Sequence, residues 1–260
     1  MIHAPWTADK AWVKAFNDVI TQGNYATPRK KLVSELLHQT HKIDLRFPLI
    51  THAGRKLHYR GAAAEAIWIL EGSHDLADIE PFFPRMREFS DDGLTLTGAY
   101  GPKIVAQLGY VVDTIYADAD TRQATLTLWT PSPVSSKDIP CTVAMDFKLR
   151  GGKLNMCVFM RSSDIWLGMP YDMFSFACVA YTVIARLRKH TDFNDIEPGF
   201  LWITAASSHL YEDRLGDIIE MGDVDPLPIP DDFWMSEELL HERLTAMRAS
   251  HKGDPCRWWE

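Results

Sequence analysis

The run from Pro170 to Leu187 places the tightest constraint on the fold. It opens with proline, which suits the first turn of a helix, and then stays apolar nearly all round through Met173, Phe174, Phe176, Val179, Val183 and Ile184. A helix of that kind has no solvent face, so the rest of the chain must cover it from several directions. The 260 residues suffice for this, and 46% hydrophobic residues, with nine tryptophans and twelve phenylalanines, supply the cover. No apolar run approaches the roughly 18 residues of a membrane span. The start, Met1-Ile-His-Ala-Pro-Trp6, lacks the basic-then-apolar pattern of a secretory signal. The cysteines, Cys141, Cys157, Cys178 and Cys256, show neither metal-ligand spacing nor a disulfide framework, so a reduced, cytoplasmic protein without a metal is expected.

Around that helix the pattern alternates between helix and sheet signals. Thr7 can cap a helix carrying Trp12, Phe16, Val19 and Ile20 on one face, with Gly23 past its end. The stretch from Thr27 to His58 is basic and lacks long periodicity; Gly61 to Leu70 favours helix, and Pro81, Pro84 and Gly93 mark a loop region. Ala124 to Trp129 reads as a strand, and Thr142 to Leu149 and Leu154 to Met160 flank Gly151-Gly152 as a hairpin. Phe200 to Ala205 reads as a strand, Leu210 to Met221 as a helix, Pro226 to Pro230 as a connector, and Ser236 as the cap of a helix ending near Arg248. With no repeat, low-complexity tract or linker, one α+β domain spanning 1–260 is expected.

The net charge of −8 argues against a general nucleic-acid binder, so no stable nucleic-acid partner is expected. It leaves room for a small anionic substrate held by a few arginines. His38-Gln-Thr-His41 has neither the glutamate nor the helical context of a zinc site.

Taken alone, Cys141 in Asp138-Ile-Pro-Cys141 says little, because free cysteine is more often a small buried hydrophobe than a nucleophile. The run Arg161-Ser-Ser-Asp-Ile-Trp-Leu-Gly-Met-Pro-Tyr-Asp172 changes that: it resembles the Arg-Ser-x-Asp-x-x-Leu-Gly-x-Pro-Phe-Asn signature of thymidylate synthases. Phe47-Pro-Leu-Ile-Thr51, Arg60 through Gly72, Ala99-Tyr100-Gly101, Asp120-Thr-Arg-Gln123 leading to Trp129-Thr-Pro131, and Ser208-His209-Leu210-Tyr211 resemble further motifs of that family in the same order. The resemblance covers about residues 12 to 215.

It implies a thymidylate synthase-like fold, a mixed β-sheet packed with helices, forming a sheet-to-sheet homodimer. It also implies that Cys141 adds to carbon 6 of a pyrimidine nucleoside monophosphate and so activates carbon 5 toward the one-carbon unit of 5,10-methylenetetrahydrofolate. Glu65 would organise water and proton transfer at the base, and Tyr100 would help remove the carbon 5 proton. Arg161 would favour the thiolate and bind the phosphate with Arg29, with Arg122 donated from the partner subunit, and with Ser162 and Ser163 lining the same site. His209 and Tyr211 would contact the sugar 3′-hydroxyl; Trp68, Asp164 and Gly168 would face the folate. Gln123, where the family has a second arginine, reduces the charge shared across subunits.

Asp172 decides the base. Thymidylate synthases end the Pro-Phe-Asn run in an asparagine that pairs with uracil, whereas cytosine presents a donor at position 4 and an acceptor at N3. An aspartate accepts from the 4-amino group and, if protonated or paired with a protonated N3, also satisfies N3; an ionised one repels the uracil 4-oxygen at about 1–3 kcal/mol or more. The pattern is that of the deoxycytidylate hydroxymethylases. The family's Pro-Cys-His is Pro140-Cys141-Thr142 here, the usual shielding tryptophans give way to Met86 and Phe89, and the end, Cys256-Arg-Trp-Trp-Glu260, lacks the small apolar closing tail. A less shielded pocket fits addition of water rather than hydride. The expected activity is therefore 5-hydroxymethylation of dCMP. The alternatives are CMP hydroxymethylation as in nucleoside-antibiotic pathways, methylation or hydroxymethylation of dUMP, and a catalytically silent nucleotide- or RNA-binding relative.

Overall fold

The structure, a computed structural model, describes residues 6–131, 134–217, 219–222 and 224–250. Cys256 and the tail around it lie outside them, as does the segment preceding Trp6. The apolar run forms helix α5, Met169–Leu187, with Pro170 in its first turn and every side chain from Met173 to Ala185 buried. Its cover comes from α1 (Ala8–Gln22), α2 (Tyr59–Leu70), α4 (Gly101–Ala117), the short α6 (Asp232–Met235) and α7 (Glu237–Ala249). On another side lie two strands, β5 (Lys153–Met160) and β7 (Glu197–Tyr211). Tyr181, wholly buried on α5, donates its hydroxyl hydrogen to the Leu45 carbonyl and so satisfies its polar tip.

Among the described residues, seven strands form the sheet. β1 (Asn24–Ala26), β2 (Val33–Asp44), β7, β5, β4 (Thr142–Arg150) and β3 (Thr125–Thr127) lie side by side in that order, and the two-residue β6 (Ser163–Asp164) pairs with β7 beyond the end of β5. β5 and β6 run parallel to β7 and the other pairings are antiparallel, which makes the sheet mixed. Gly151 and Gly152 turn the β4–β5 hairpin with φ of 57° and 72°, a left-handed pair that two glycines adopt without a Cβ penalty. The helices cover one face. On the other, Thr40, Thr204 and Phe159 sit in register across β2, β7 and β5, and Phe159 and Leu37 are 47% and 64% exposed.

The fold bears out the mixed α+β expectation, with two local departures. The basic stretch after Thr27 contains the twelve-residue strand β2, whose alternation is masked because its outward face is polar and His38 takes a left-handed φ of 57°. Leu210 to Met221 is not a helix. β7 runs on to Tyr211, where Ser34 and Val33 of β2 pair with Leu210 and Tyr211, and only a 3-10 turn, Glu212–Arg214, follows. Ladder bonds to a neighbouring strand outweigh a weak local helix preference there. The capping expectations hold: Thr7 Oγ1 accepts from Lys10 N at 3.3 Å, and Ser236 Oγ from Leu239 N at 3.2 Å.

Trp12 ties α1 to the loop that enters α5. It is wholly buried, its ring lies 6.0 Å from Phe16 and 5.8 Å from Trp166, and its Nε1 donates to the Ile165 carbonyl at 2.9 Å. Trp12→Ala should lower unfolding free energy by about 3–5 kcal/mol in urea titration with little change in slope; a loss under about 1 kcal/mol would show that this ring is not a fixed part of the core.

Candidate active site

One cavity of about 210 Å³ opens where the N-terminus of α5, the end of β5 and the loops before β4 and α4 meet. Its walls include Glu65 and Trp68 from α2, Ala99 and Tyr100 before α4, Asp138 to Cys141 before β4, Ser162 to Asp164 around β6, and Gly168 and Asp172 at the start of α5. Residues far apart in the sequence thus reach one space because α5 and the sheet hold these segments together.

The backbone fixes the nucleophile candidate and the arginine against each other. Arg161 N donates to the Cys141 carbonyl at 2.8 Å, while the Arg161 guanidinium donates from Nε to the Pro140 carbonyl at 2.9 Å and from Nη2 to the Ile139 carbonyl at 2.8 Å. Its face also lies 5.9 Å from the Trp129 ring. Two of the five guanidinium donors are therefore spent on the Cys141 loop. Burial of the sulfur is the largest influence on Cys141, with Asp172 and Asp138 adding to it and the charges of Arg161 and Arg29 opposing it. The thiol is raised from its ordinary value and rests protonated.

Three more groups nearby are shifted toward their protonated forms. Burial pushes Glu65 up to about 7, only partly offset by a hydrogen bond from Ser175 Oγ at 3.5 Å. Burial, then the carboxyls of Glu65 and Asp164, raise Asp172 well above the usual carboxylate range. Burial, with Asp172 and Cys141 near it, holds Tyr100 neutral. Asp172 is thus shifted toward its neutral form. Desolvation of a second carboxyl beside Glu65 is the cause.

The α5 entry loop presents the remaining residues. Asp164 Oδ1 accepts from Trp166 N and Leu167 N at 2.9 and 2.8 Å, and the Asp164 carbonyl accepts from Gly168 N at 3.0 Å. Tyr171 N and Asp172 N both donate to the Gly168 carbonyl, which begins the helix. Trp68 is buried, and its Nε1 donates to the Asp75 carbonyl at 3.2 Å.

Ser162 Oγ lies 3.5 Å from His209 Nδ1, and the His209 and Tyr211 rings meet edge to face at 5.3 Å, so β7 delivers this pair to the cavity's edge. Arg29 is exposed with a left-handed φ of 51°, and its charge acts on both Cys141 and His209. Arg122 does not join the group. It borders an open depression with Asp113, Asp118 and Asp120. Met86 lines the cavity; Phe89, the other expected stand-in for a shielding tryptophan, does not.

Sequence reasoning overlooked three residues here. Asp138 lines the cavity, and its Oδ2 accepts from Gly98 N at 2.7 Å. Ser175 reaches Glu65, and Arg55, only 8% exposed, lies over Trp166 and Tyr171 at 5.0 and 5.5 Å. The available signal for Asp138 was its place three residues before Cys141; Ser175 lies one turn beyond Asp172 on α5.

The sequence model of the family described as thymidylate synthase matches residues 10–240. A deoxyuridylate hydroxymethyltransferase of Bacillus phage SP01 is 28% identical over 261 residues, an alignment spanning 88% of this chain and 65% of that protein. A second protein of that name, from Delftia phage PhiW-14, is 33% identical over 144 residues, 49% of this chain and 40% of its own length. The chain spans less than two thirds of each of these relatives.

The raised Glu65 has a thermodynamic consequence. With a folded value of about 7 against 4.5 unfolded, its neutral form favours folding fully below pH 4.5, and that contribution is lost as pH rises through 7. The loss amounts to about 3 kcal/mol at 1.36 kcal/mol per unit. Glu65→Gln should therefore raise the unfolding free energy at pH 8 by up to about that amount and change it little near pH 4.5. Equal effects at both pH values would show that the carboxyl is not desolvated as described.

Proposed function

Because the chain belongs to the thymidylate synthase family, we propose that it transfers a one-carbon unit from 5,10-methylenetetrahydrofolate to carbon 5 of dCMP and releases 5-hydroxymethyl-dCMP. The observation that carries this reading is Asp172, at the start of α5, sharing one small cavity with Cys141, Glu65 and Tyr100, its carboxyl shifted toward the neutral form by burial.

The chemistry follows from these groups. Cys141 gives up its proton as the nucleotide enters, helped by the Arg161 charge, and its sulfur bonds to carbon 6. Negative charge then builds on the far side of the ring, at N3 of a cytosine. Asp172 donates its proton there while its other oxygen accepts from the 4-amino group. Tyr100 and Glu65 serve the carbon 5 proton and the water around the base. The walls formed by Trp68, Ile69, Met86 and Ile139, with the Asp164 carboxyl among them, fit a flat heterocycle bearing a polar edge. The folate supplies a carbon at the oxidation level of formaldehyde. Arg161 and Arg29 take the phosphate, with Ser162 and Ser163; His209 and Tyr211 take the 3′-hydroxyl; Trp68, Asp164 and Gly168 face the folate. The exposed sheet face around Leu37 and Phe159 supports a sheet-to-sheet homodimer, in which Arg122, remote from its own cavity, serves the partner's phosphate. Among the described residues no helix is long and apolar enough to cross a membrane, and no group of three or more potential ligands forms a metal site.

A second reading, hydroxymethylation of dUMP, is favoured by the names of the two phage relatives. The neutral form of Asp172 makes it chemically coherent, since it can donate to the uracil 4-oxygen and accept from N3–H. Cytosine gains more, because its N3 can take the proton outright and form a charge-assisted pair with the carboxylate; uracil N3 already holds a hydrogen.

Incubation with methylenetetrahydrofolate and dCMP, CMP or dUMP, followed by mass measurement of the nucleotide, should show one hydroxymethyl group gained on dCMP. Gain only on dUMP would establish the second reading, and no product on any nucleotide would remove both. Asp172→Asn should lower kcat/KM for dCMP relative to dUMP by at least tenfold; an unchanged ratio would contradict base selection by this residue.

A further inference from the structure

Asp138 is the one carboxyl of the cavity that the mechanism above leaves without a task. It stands three residues before Cys141, lines the same space as Tyr100, Trp68 and Met86, and its charge acts on the Cys141 sulfur. Its position is fixed from several sides. Oδ2 accepts from Gly98 N at 2.7 Å, and the Asp138 backbone N donates to Ser136 Oγ at 3.0 Å. Gly98 is a glycine for this reason: a Cβ there would stand 2.7 Å from Oδ1 and 2.8 Å from Cγ of Asp138. One carboxylate therefore bridges the loop bearing Tyr100 and the loop bearing Cys141, with one oxygen committed to the bridge.

We propose that Asp138 is the general base that delivers water to the exocyclic methylene. This rests on the reading of the site as a hydroxymethylase. After tetrahydrofolate leaves, the ring carries a C5=CH₂ group and a C6–S bond to Cys141. Water donates one proton to the Asp138 carboxylate as its oxygen bonds to the CH₂ carbon. The electron pair of C5=CH₂ shifts into the ring, then reforms C5=C6 and expels the Cys141 thiolate. The proton on Asp138 passes to that thiolate, so the balance closes without an oxidant or reductant. A base is needed because neutral water is a poor nucleophile, and Asp138 lines the same cavity as Cys141. Hydride transfer would need no such group.

The carboxyl faces Asp91, Lys103, Arg161 and Cys141; burial raises its pKa, with Asp91 adding and Gly98 N–H, Lys103 and Arg161 opposing. The hydration step should therefore fail on the acid side sooner than an ordinary carboxylate would allow.

The test separates the steps in single turnover with [5-³H]dCMP and methylenetetrahydrofolate. Tritium release reports formation of the methylene, and the hydroxymethyl nucleotide reports hydration. Asp138→Asn keeps an acceptor for Gly98 N; it should release tritium within about threefold of the parent rate but form product at least thirtyfold more slowly, and the acid limb of the product-to-tritium ratio should vanish. Asp138→Ala, checked for folding by thermal melt, should regain product in added formate. Product at the parent rate in Asp138→Asn, or equal loss of both signals, would overturn the assignment to hydration. A parent protein that releases no tritium from any pyrimidine nucleotide would instead remove the hydroxymethylase reading, and this proposal with it.

Discussion

Helix α5 is buried along nearly its whole length, and a helix with no solvent face cannot shift without moving every layer around it. Its first turn is therefore one of the best-fixed points in the molecule, and Asp172 lies in that turn. The entry loop is locked to it by the Gly168 carbonyl, by the Asp164 turn and by the bond from Trp12 to Ile165. From the opposite side Arg161 clamps the Cys141 loop through two backbone carbonyls. The distances within the cavity are set by packing, which is what chemistry between groups on four separate segments requires.

Burial sets the protonation state as well as the geometry. Cys141, Glu65, Tyr100 and Asp172 are each raised from their ordinary values, with desolvation the largest cause in every case. Four such groups in one water-poor space share a small number of mobile protons, and each ionisation disfavours the next. In the proposed reaction a bound nucleotide would change that balance, its phosphate taking up the arginines while its ring offers new acceptors. The arrangement suits a reaction in which a proton must leave a thiol, reach the ring and return.

Much of this was legible in the sequence for a definable reason. The signature from Arg161 to Asp172 lies on one continuous turn and helix start, so its spacing survives as geometry: its Ser162, Ser163, Asp164, Gly168 and Asp172 line the cavity together with Glu65, Trp68, Tyr100 and Cys141. What remained hidden depends on contacts between distant segments. The strand β2 was obscured by its polar outer face and by His38, and β7 continued past Leu210 only because β2 pairs with it. Asp138 acquires meaning through the N–H of Gly98, forty residues away. The charge state of Asp172 could not be read from its identity, because desolvation and the carboxyl of Glu65 determine it. Arg122 is a different case, since its expected task belongs to a second copy of the chain.

Covalent capture would show whether the Cys141 sulfur attacks the pyrimidine ring. With 5-fluoro-dCMP and methylenetetrahydrofolate, fluorine at carbon 5 cannot leave as the proton does, so the adduct should stall with nucleotide and folate attached. The expected result is a mass increase equal to both ligands, located by peptide mapping to the segment containing Cys141 and absent in Cys141→Ser. An adduct on another residue, or none under conditions where the parent protein turns over dCMP, would contradict attack by this sulfur.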